Sequence, residues 1–401
     1  MKIMRKQLKI AIYTGTIPSS TFIEHLIEGV AKHHKVLLFG TIKKAVQYNN
    51  PNMTIIETPT KQFKNVWLTG IRSFRLLFKS PKLLNMAIRQ ALTYTTRYEQ
   101  WMRFSRFVPV LLHQPHVFHL QWAKKLSRWL FLQEAYGGKV VVSLRGTHIH
   151  ISPKADAALA QSYHDYFPKV DAFHAVSQDM KTEALSYGAT ADNVKTIYTI
   201  LPDAVFNHFT PAKAVNETLN IVSVGRYHWV KGYDYALKAI KLLKAQGIQV
   251  TYTIIASKPV PEDMLFMVND LSLEDVVVFK DHVPQDALFA YLKTFDLFLL
   301  PSLSEGIANV VLEAMAIGLP VVSTNCGGMP EVVLPNKTGW LVPIRDPEAM
   351  AQAITDMHKT PNEQLQTITQ QAHDFVKTQF NAKDSIQQFL ALYEAVVREH
   401  K

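Results

Sequence analysis

Residues Ser304 to Pro343 read SEGIANVVLEAMAIGLPVVSTNCGGMPEVVLPNKTGWLVP, and the alternation of apolar runs with turn residues in this stretch sets the fold class. The apolar run Phe295–Pro301 ahead of it is strand-like. Glu305 and Gly306 then make a turn, and Ala308–Ile317 has helical periodicity with Val310, Ala314 and Ile317 on its inner stripe. A strand that feeds a helix through so short a turn leaves unpaired backbone N–H groups at the strand end, where they suit an anion such as phosphate. Glu305 stands at the mouth of that turn and Glu313 lies two turns into the helix. Two glutamates at this spacing also arise by chance, one as a solvated loop carboxylate and the other as an exposed helix residue, so the pattern needs support from elsewhere.

The support lies upstream in VGRYHWVKGYDYALKAI, Val224–Ile240, where Asn220–Gly225 reads as a strand and Gly232 opens an amphipathic helix carrying Ala236, Leu237 and Ile240. Arg226 leaves the strand and Lys231 precedes the helix. Two cations at one crossover suit a diphosphate: the guanidinium forks two oxygens while the ammonium acts as a point charge.

Together, the E-x7-E and R-x4-K patterns resemble the donor site of glycosyltransferase family 4, the retaining transferases of GT-B fold that use nucleotide sugars. The resemblance implies that Glu305 lies against the transferred sugar, with Arg226 and Lys231 on the diphosphate, and that these three carry catalysis. It implies that Glu313 binds the ribose hydroxyls and that the amides of Ile307, Ala308 and Asn309, in a turn shared with Gly306 and Val310, line the diphosphate and sugar. Val276–Phe279 reads as a fully buried strand, and the resemblance has its backbone at Val278 and Phe279 read the base.

A chain of 401 residues exceeds one ordinary core and suits two domains. Its 48% hydrophobic content indicates globular folding, and no apolar run reaches the roughly 18 residues needed to cross a bilayer. Met1–Lys9 followed by Ile10–Ile17 imitates a secretory signal, but the apolar part is short and enters Thr14-Gly15-Thr16 without a small-residue cleavage pattern, so it is read as the first strand. The single cysteine, Cys326, forbids an intrachain disulfide and fits a reducing cytoplasm, where it is expected to be a small buried filler.

In the first half, strand candidates Leu8–Thr14, Lys35–Gly40, Val117–Leu120, Lys139–Leu144, Ala172–Ser177 and Val194–Ile200 alternate with helical stretches, and the alternation resumes from Leu219 to Leu341. Apolar, β-branched strands in such an order argue for an α/β chain with parallel sheets covered on both faces. The expected architecture is GT-B, with two Rossmann-like domains facing each other across a cleft. Residues 1–203 form an acceptor domain, 204–216 a linker and 217–383 the donor domain, and 384–401 form a helix crossing back onto the first domain.

The first half matches the family less closely. Gly15 and the cluster Ser19-Ser20-Thr21 lie between strand and helix, a phosphate-facing turn with Ser20 or Thr21 as N-cap. In VVSLRGTH, Val141–His148, Arg145 stands where many members have a histidine and His148 where they have an aspartate. Arg145 is expected either to bind an anionic group of donor or acceptor or to pair with a carboxylate of the cleft. His119 either faces the cleft or is a satisfied core histidine. Ser20, Thr21, His119, Arg145 and His148 are therefore the acceptor or sugar candidates. His113, His116 and His119 recur at metal-like spacing, but Pro115 breaks the helix that would align them, so neither metal nor cofactor is expected.

Charge points to the acceptor. The formal balance is +10, and ten lysines and arginines fall between Pro51 and Val110 against Glu57 and Glu99. Trp67, Phe74, Leu77, Phe78, Trp101, Phe104 and Phe107 are interleaved with them, as in basic amphipathic helices that lie on anionic lipid. A solvated basic face is the plain alternative, and no nucleic-acid-binding motif accompanies the charge. The reading is a cytoplasmic hexosyltransferase, peripheral on the inner face of the membrane. It would move a sugar from a UDP- or GDP-sugar to a glycan or lipid-linked saccharide in cell-surface polysaccharide synthesis. A nucleotide-sugar epimerase and an idle nucleotide-sugar-binding partner are the rivals.

Overall fold

A computed structural model describes residues 7–213 and 217–398. The chain forms two compact units. One holds the residues up to Val176, Lys181–Ile197 and the closing stretch from Lys383, and the other holds Ser177–Met180 and Tyr198–Ala382. Residues 1–6, 214–216 and 399–401, and with them the ends of the expected first domain, linker and closing helix, lie outside the described residues.

The first unit is built on seven parallel strands, β1 (Lys9–Ile17), β2 (Lys35–Ile42), β3 (Met53–Glu57), β4 (Val117–Leu120), β5 (Lys139–Leu144), β6 (Ala172–Ala175) and β7 (Val194–Thr196), in the order β3-β2-β1-β4-β5-β6-β7. β3 has no counterpart among the expected strands, because the half-exposed MTIIE carries only a short apolar run. Helix α1 (Thr21–Ala31) buries Ile23, Leu26, Ile27 and Val30 on one stripe. Three further helices, α2 (Gln62–Lys79), α3 (Pro81–Leu92) and α4 (Arg97–His113), intervene between β3 and β4. The closing helix Ala382–Arg398 packs Ile386 where Gly29 of α1 lacks a side chain.

The second unit has six parallel strands, β8 (Leu219–Val224), β9 (Val250–Ile255), β10 (Val277–Lys280), β11 (Leu297–Leu300), β12 (Val321–Thr324) and β13 (Trp340–Val342), in the order β10-β9-β8-β11-β12-β13. Successive side chains of a strand point to opposite faces. Leu297 and Leu299 accordingly enter one apolar cluster with Leu237 and Ile240, while Phe298 and Leu300 enter another with Val311 and Met315. The sheet is thus covered on both sides, as its continuous hydrophobic strands require.

Two expectations change here. Val276–Phe279 is not a fully buried strand: β10 is an edge strand, and Val278 is 46% exposed. The segment 204–213 is not a free linker, since Asp203–Phe206 is a helical turn whose Val205 is fully buried in the second unit. Thr210 N–H donates to Ile317 O (3.2 Å) and Ala212 N–H to Thr369 Oγ1 (3.3 Å).

In both sheets the order reverses once, between β1 and β4 and between β8 and β11. Ligands of open α/β sheets bind outside the carboxyl ends of the strands at such reversals, which fixes where to look for chemistry.

Gly318 has a left-handed backbone (φ +84°), and its Cα approaches Thr210 O so closely that no β-carbon fits. Gly318→Ala is therefore expected to lower stability by about 2 kcal/mol or more, read from urea unfolding. A variant that unfolds like wild type would show that the 204–213 segment is not held against this turn.

Candidate functional site

At the β8/β11 reversal the chain leaves β8 through Gly225 and Arg226, and the short 3₁₀ turn Trp229–Lys231 leads to the helix Tyr233–Ala245. Across from it β11 leads through Pro301 and Ser302 to Glu305. Leu303 N–H donates to Val230 O (2.7 Å), which ties the two loops together. Lys231 Nζ donates to Glu305 Oε1 at 2.6 Å, and Ser302 Oγ donates to the same oxygen at 2.9 Å. Both charged side chains are less than one-fifth exposed. Arg226 is exposed and makes no side-chain bond among the described residues.

Glycines set this geometry. Gly232 turns with φ +64° against Pro301 O, and the stem of Lys231 lies over Gly225, where a β-carbon would sit 3.2 Å from its Cε. Gly327 (φ +54°) packs on Glu305 O and Gly328 on Gly306 O, and Gly328 N–H donates to Gly306 O at 2.9 Å. Ser302, Gly327 and Gly328 were not singled out from the sequence, although the Gly-Gly pair after an apolar run was a visible sign of close backbone approach. Cys326 beside them is buried, and burial pushes its thiol up to about 12, so it is an inert filler.

The helix after Glu305 runs Asn309–Ala316, with Val311, Leu312, Ala314 and Met315 buried; of the expected inner stripe Ala314 and Ile317 are buried, while Val310 is only partly covered. Of the three amides expected to face a ligand, that of Ala308 is turned inward and donates to Met329 Sδ (3.4 Å). Ile307 and Asn309 stay in the loop and first helical position. Glu313 lies on the same helix, and burial raises its carboxyl to about 7; among the described residues its side chain makes one long bond, from Gln285 Nε2 (3.5 Å). Val278, Phe279 and Lys280 of β10, with Pro284 just before Gln285, line a cavity of about 580 Å³. A larger one, about 880 Å³, is walled by Tyr227, Trp229, Tyr233, Met264 and Leu303.

The candidates of the first unit divide. Gly15 is not in a phosphate-facing turn: it sits inside β1 at a register shift against β2, with φ +82°. Ser20 is the N-cap of α1 but its side chain makes no capping bond, and Thr21 is the first helical residue. Glu24 accepts from Ser19 N–H (2.5 Å) and Tyr48 Oη (2.8 Å), so a carboxylate already occupies this helix start.

His119 does not face a ligand. It is fully buried, with Tyr393 Oη 2.7 Å from Nδ1 and Ser143 Oγ 2.8 Å from Nε2. Ser143 Oγ also meets His174 Nδ1 (2.8 Å), and His174 Nε2 donates to Ile197 O (2.8 Å). That last carbonyl fixes the direction of the row. His174 Nδ1 must accept from Ser143, Ser143 from His119 Nε2–H, and His119 Nδ1 from Tyr393. Burial holds His119 neutral, with a pKa of about 3, and holds His174 well below its ordinary value.

Among the described residues Arg145 finds no carboxylate. Its Nη2 donates to Gln121 Oε1 (3.2 Å), its guanidinium lies 4.7 Å from the Phe22 ring centre, and its Nε is buried without a partner. Burial lowers its pKa to about 9. His148 Nδ1 is likewise unpaired, and burial and Lys124 lower its pKa to about 4. The expected carboxylate pairing of Arg145 is therefore replaced by an amide and a ring face. Among the described residues no group of three or more His, Cys, Asp or Glu could hold a metal ion.

Residues 218–360 match the family model of glycosyl transferases group 1. The protein WcaL of Escherichia coli (strain K12), provisionally named a colanic acid biosynthesis glycosyltransferase, is 35% identical over 192 residues, 46% of this chain and 47% of that protein. The amylovoran biosynthesis glycosyltransferase AmsK of Erwinia amylovora is 29% identical over 285 residues, 69% of each chain. The chain thus matches between about half and just over two-thirds of the length of these relatives. Among solved structures, Alr3699/HepE of Anabaena in complex with UDP and glucose superposes with a TM-score of 0.71 at 17% identity, over 97% of this chain and all of that one. Sucrose-phosphate synthase of Thermosynechococcus elongatus gives 0.75 at 19%, over 97% and 99%. These likenesses establish the fold, the GT-B class with two Rossmann-like domains.

Glu313 gives the site a pH signature. Its carboxyl keeps its proton to about pH 7 when folded but loses it near 4.5 when unfolded, so the stability it contributes is complete below pH 4.5 and is lost as pH rises to 7. Glu313→Gln removes that loss. Relative to wild type, the variant is expected to gain about 2–3 kcal/mol in urea unfolding at pH 8 while differing little at pH 4.5. Equal pH profiles would show that this carboxyl ionises normally.

Proposed function

We propose, from the match of residues 218–360 to the glycosyl transferases group 1 family and the likeness to WcaL and AmsK, that this chain is a retaining glycosyltransferase of cell-surface polysaccharide synthesis, moving a hexose from a UDP- or GDP-sugar to a glycan or lipid-linked saccharide. The observation that carries the reading is the Lys231–Glu305 pair at the β8/β11 reversal, with Arg226 beside it. On this reading the nucleotide diphosphate enters between Arg226 and Lys231, the ribose hydroxyls donate to Glu313, and the base lies against Val278 and Phe279 at the end of β10. The bond from C1 of the sugar to the diphosphate breaks while a bond from C1 to an acceptor oxygen forms. The acceptor proton passes to the departing phosphate oxygen. Lys231, Arg226 and the amides of Ile307 and Asn309 would stabilise the negative charge growing there, and the Glu305 carboxylate would steady positive character at C1. No metal enters the scheme.

We also place the protein against a membrane surface. No helix of the described residues is long and apolar enough to cross one. Helix α2, however, buries Asn65 and Thr69 and shows Phe63 (87% exposed), Trp67 (60%), Phe74 (64%) and Phe78 (74%) to solvent. At about 100° per residue these four, with Val66 and Leu77, fall within an arc of roughly 120°, and Lys64, Arg75 and Lys79 flank it on one side. An apolar stripe edged with cations suits the headgroup boundary of an anionic bilayer. Phe74→Ser together with Phe78→Ser is expected to reduce co-sedimentation with vesicles containing phosphatidylglycerol at least fivefold without lowering the melting temperature. Unchanged binding, or equal binding to neutral vesicles, would sink this placement.

The two glutamates should separate in kinetics measured with EDTA present. Glu305→Gln keeps the shape and removes the charge, so turnover is expected to fall about 10²-fold or more with little change in nucleotide affinity. Glu313→Ala should instead weaken the free nucleotide diphosphate by about 1.5–3 kcal/mol in calorimetry. Wild-type turnover in a folded Glu305→Gln variant would favour an idle binding partner. Donor conversion without an acceptor would favour an epimerase.

A further inference from the structure

The first unit carries a second cluster of cations, separate from the Arg226 loop and from the exposed stripe of α2. Arg103 and Arg106 lie one turn apart on α4, and Lys125 and Arg128 are similarly spaced on the 3₁₀ helix Ala123–Arg128 that follows β4. Aromatic packing brings the two elements together: Phe107 stands edge-on to Trp129 with ring centres 5.4 Å apart, so the residues next to each, Arg106 and Arg128, come from neighbouring backbones. The Arg103 guanidinium lies 5.0 Å from the centre of the Tyr94 ring.

Like charges normally avoid one another or share a carboxylate, and these do neither. Burial lowers the pKa of Arg103, and Arg128 and Arg106 lower it further; burial likewise lowers Lys125, with Arg106, Arg128 and Arg103 adding to the effect. Among the described residues no carboxylate offsets the shift of either group. The nearby Glu99 acts on Tyr94 instead and accepts from Thr96 Oγ1 (3.2 Å). Arg103 Nε and Arg106 Nε are both buried without a hydrogen-bond partner. Arg103 and Lys125 are held at a cost among neighbouring cations, and two buried guanidinium N–H groups have no partner, an arrangement suited to an anion.

Its place in the fold is the one where a ligand is expected. Arg103 also feels Tyr13 of β1, which is paired with Leu120, the last residue of β4. The cluster therefore lies near the carboxyl end of β4 where it pairs with β1, the two strands between which this sheet reverses its order. We propose that Arg103, Arg106, Lys125 and Arg128 form a binding site for a phosphate-class oxyanion of more than one charge, best matched by a diphosphate. Under the glycosyltransferase reading this group belongs to the acceptor; the site itself does not depend on that reading.

Calorimetry of the full chain with inorganic pyrophosphate at low salt tests the site, comparing wild type with R103Q/R106Q, with K125Q and with R226Q/K231Q. The R226Q/K231Q variant identifies any pyrophosphate held by the donor loop. Binding at the proposed site is expected to survive in R226Q/K231Q, to weaken at least tenfold in R103Q/R106Q and to weaken several-fold in K125Q, with the melting temperature of each variant checking that it folds. A parallel arm uses vesicles of phosphatidylcholine with and without phosphatidic acid. Loss on R103Q/R106Q of binding that depends on phosphatidic acid, with none to soluble pyrophosphate, assigns the oxyanion to a lipid headgroup. Loss of pyrophosphate binding assigns it to a solvent-exposed phosphate, and either result supports the site. Pyrophosphate and vesicle binding that are unchanged in R103Q/R106Q and K125Q, or confined to the donor loop, would overturn it. Failure of transferase activity with the site intact would instead count against the glycosyltransferase reading.

Discussion

The salt bridge from Lys231 to Glu305 joins two loops that leave the sheet on either side of the point where its order reverses. Each loop is shaped to deliver its charge there: the Lys231 stem crosses Gly225, which has no side chain to obstruct it, and Gly232 turns back against Pro301 O. From the other side Gly327 and Gly328 press on the carbonyls of Glu305 and Gly306, so the carboxylate stands on backbone that cannot relax away. Ser302 gives the shared oxygen a second donor. Close backbone packing therefore buries the pair, and burial in turn makes its attraction stronger than that of an exposed pair.

Much of this was legible in the sequence because it depends on residue spacing. The R-x4-K and E-x7-E patterns place Arg226, Lys231, Glu305 and Glu313 correctly at a strand-to-helix crossover, since strand and helix periods leave little freedom over so few residues. What spacing cannot give is the direction in which a group points. The Ala308 amide, named with its neighbours as a ligand contact, is drawn to Met329 Sδ by a residue 21 positions away. His119 stands at a strand end as expected, but the row through Ser143 and His174 that consumes both its nitrogens is assembled from β5, β6 and the closing helix. The segment read as a linker shows the same limit: Pro202 and Pro211 mark a break in periodicity, yet a helical turn between them buries Val205 in the second unit.

In the first unit, the basic stretch that composition treated as one feature separates into three. Lys64 and Arg72 reach Glu57, through its carboxylate and its carbonyl respectively, and Lys79 reaches Leu112 O. These are ordinary surface partnerships, worth little each. The large apolar side chains between them form a stripe with the polar Asn65 and Thr69 turned inward, the reverse of a helix meant only for water. Arg103 and Arg106 belong to neither group, because their neighbours are other cations. Helical phase explains the division: residues adjacent in sequence but about 100° apart around an axis meet different surroundings.

The resting pair also bears on how a donor would enter. Lys231 cannot give its full charge to a diphosphate while it is bonded at 2.6 Å to Glu305, and releasing it outright would leave a partly buried carboxylate short of a partner. Sharing avoids that cost. An ammonium carries three donors, so Lys231 can keep one on Glu305 and turn another toward a phosphate oxygen, while Ser302 Oγ stays on the carboxylate. Arg226, exposed and uncommitted, then becomes the first cation an arriving diphosphate meets, with Lys231 held in reserve close to the breaking bond. Charge on the leaving group and charge at the sugar would be steadied through one connected set of hydrogen bonds, which couples the two ends of the reacting bond more tightly than two independent contacts could.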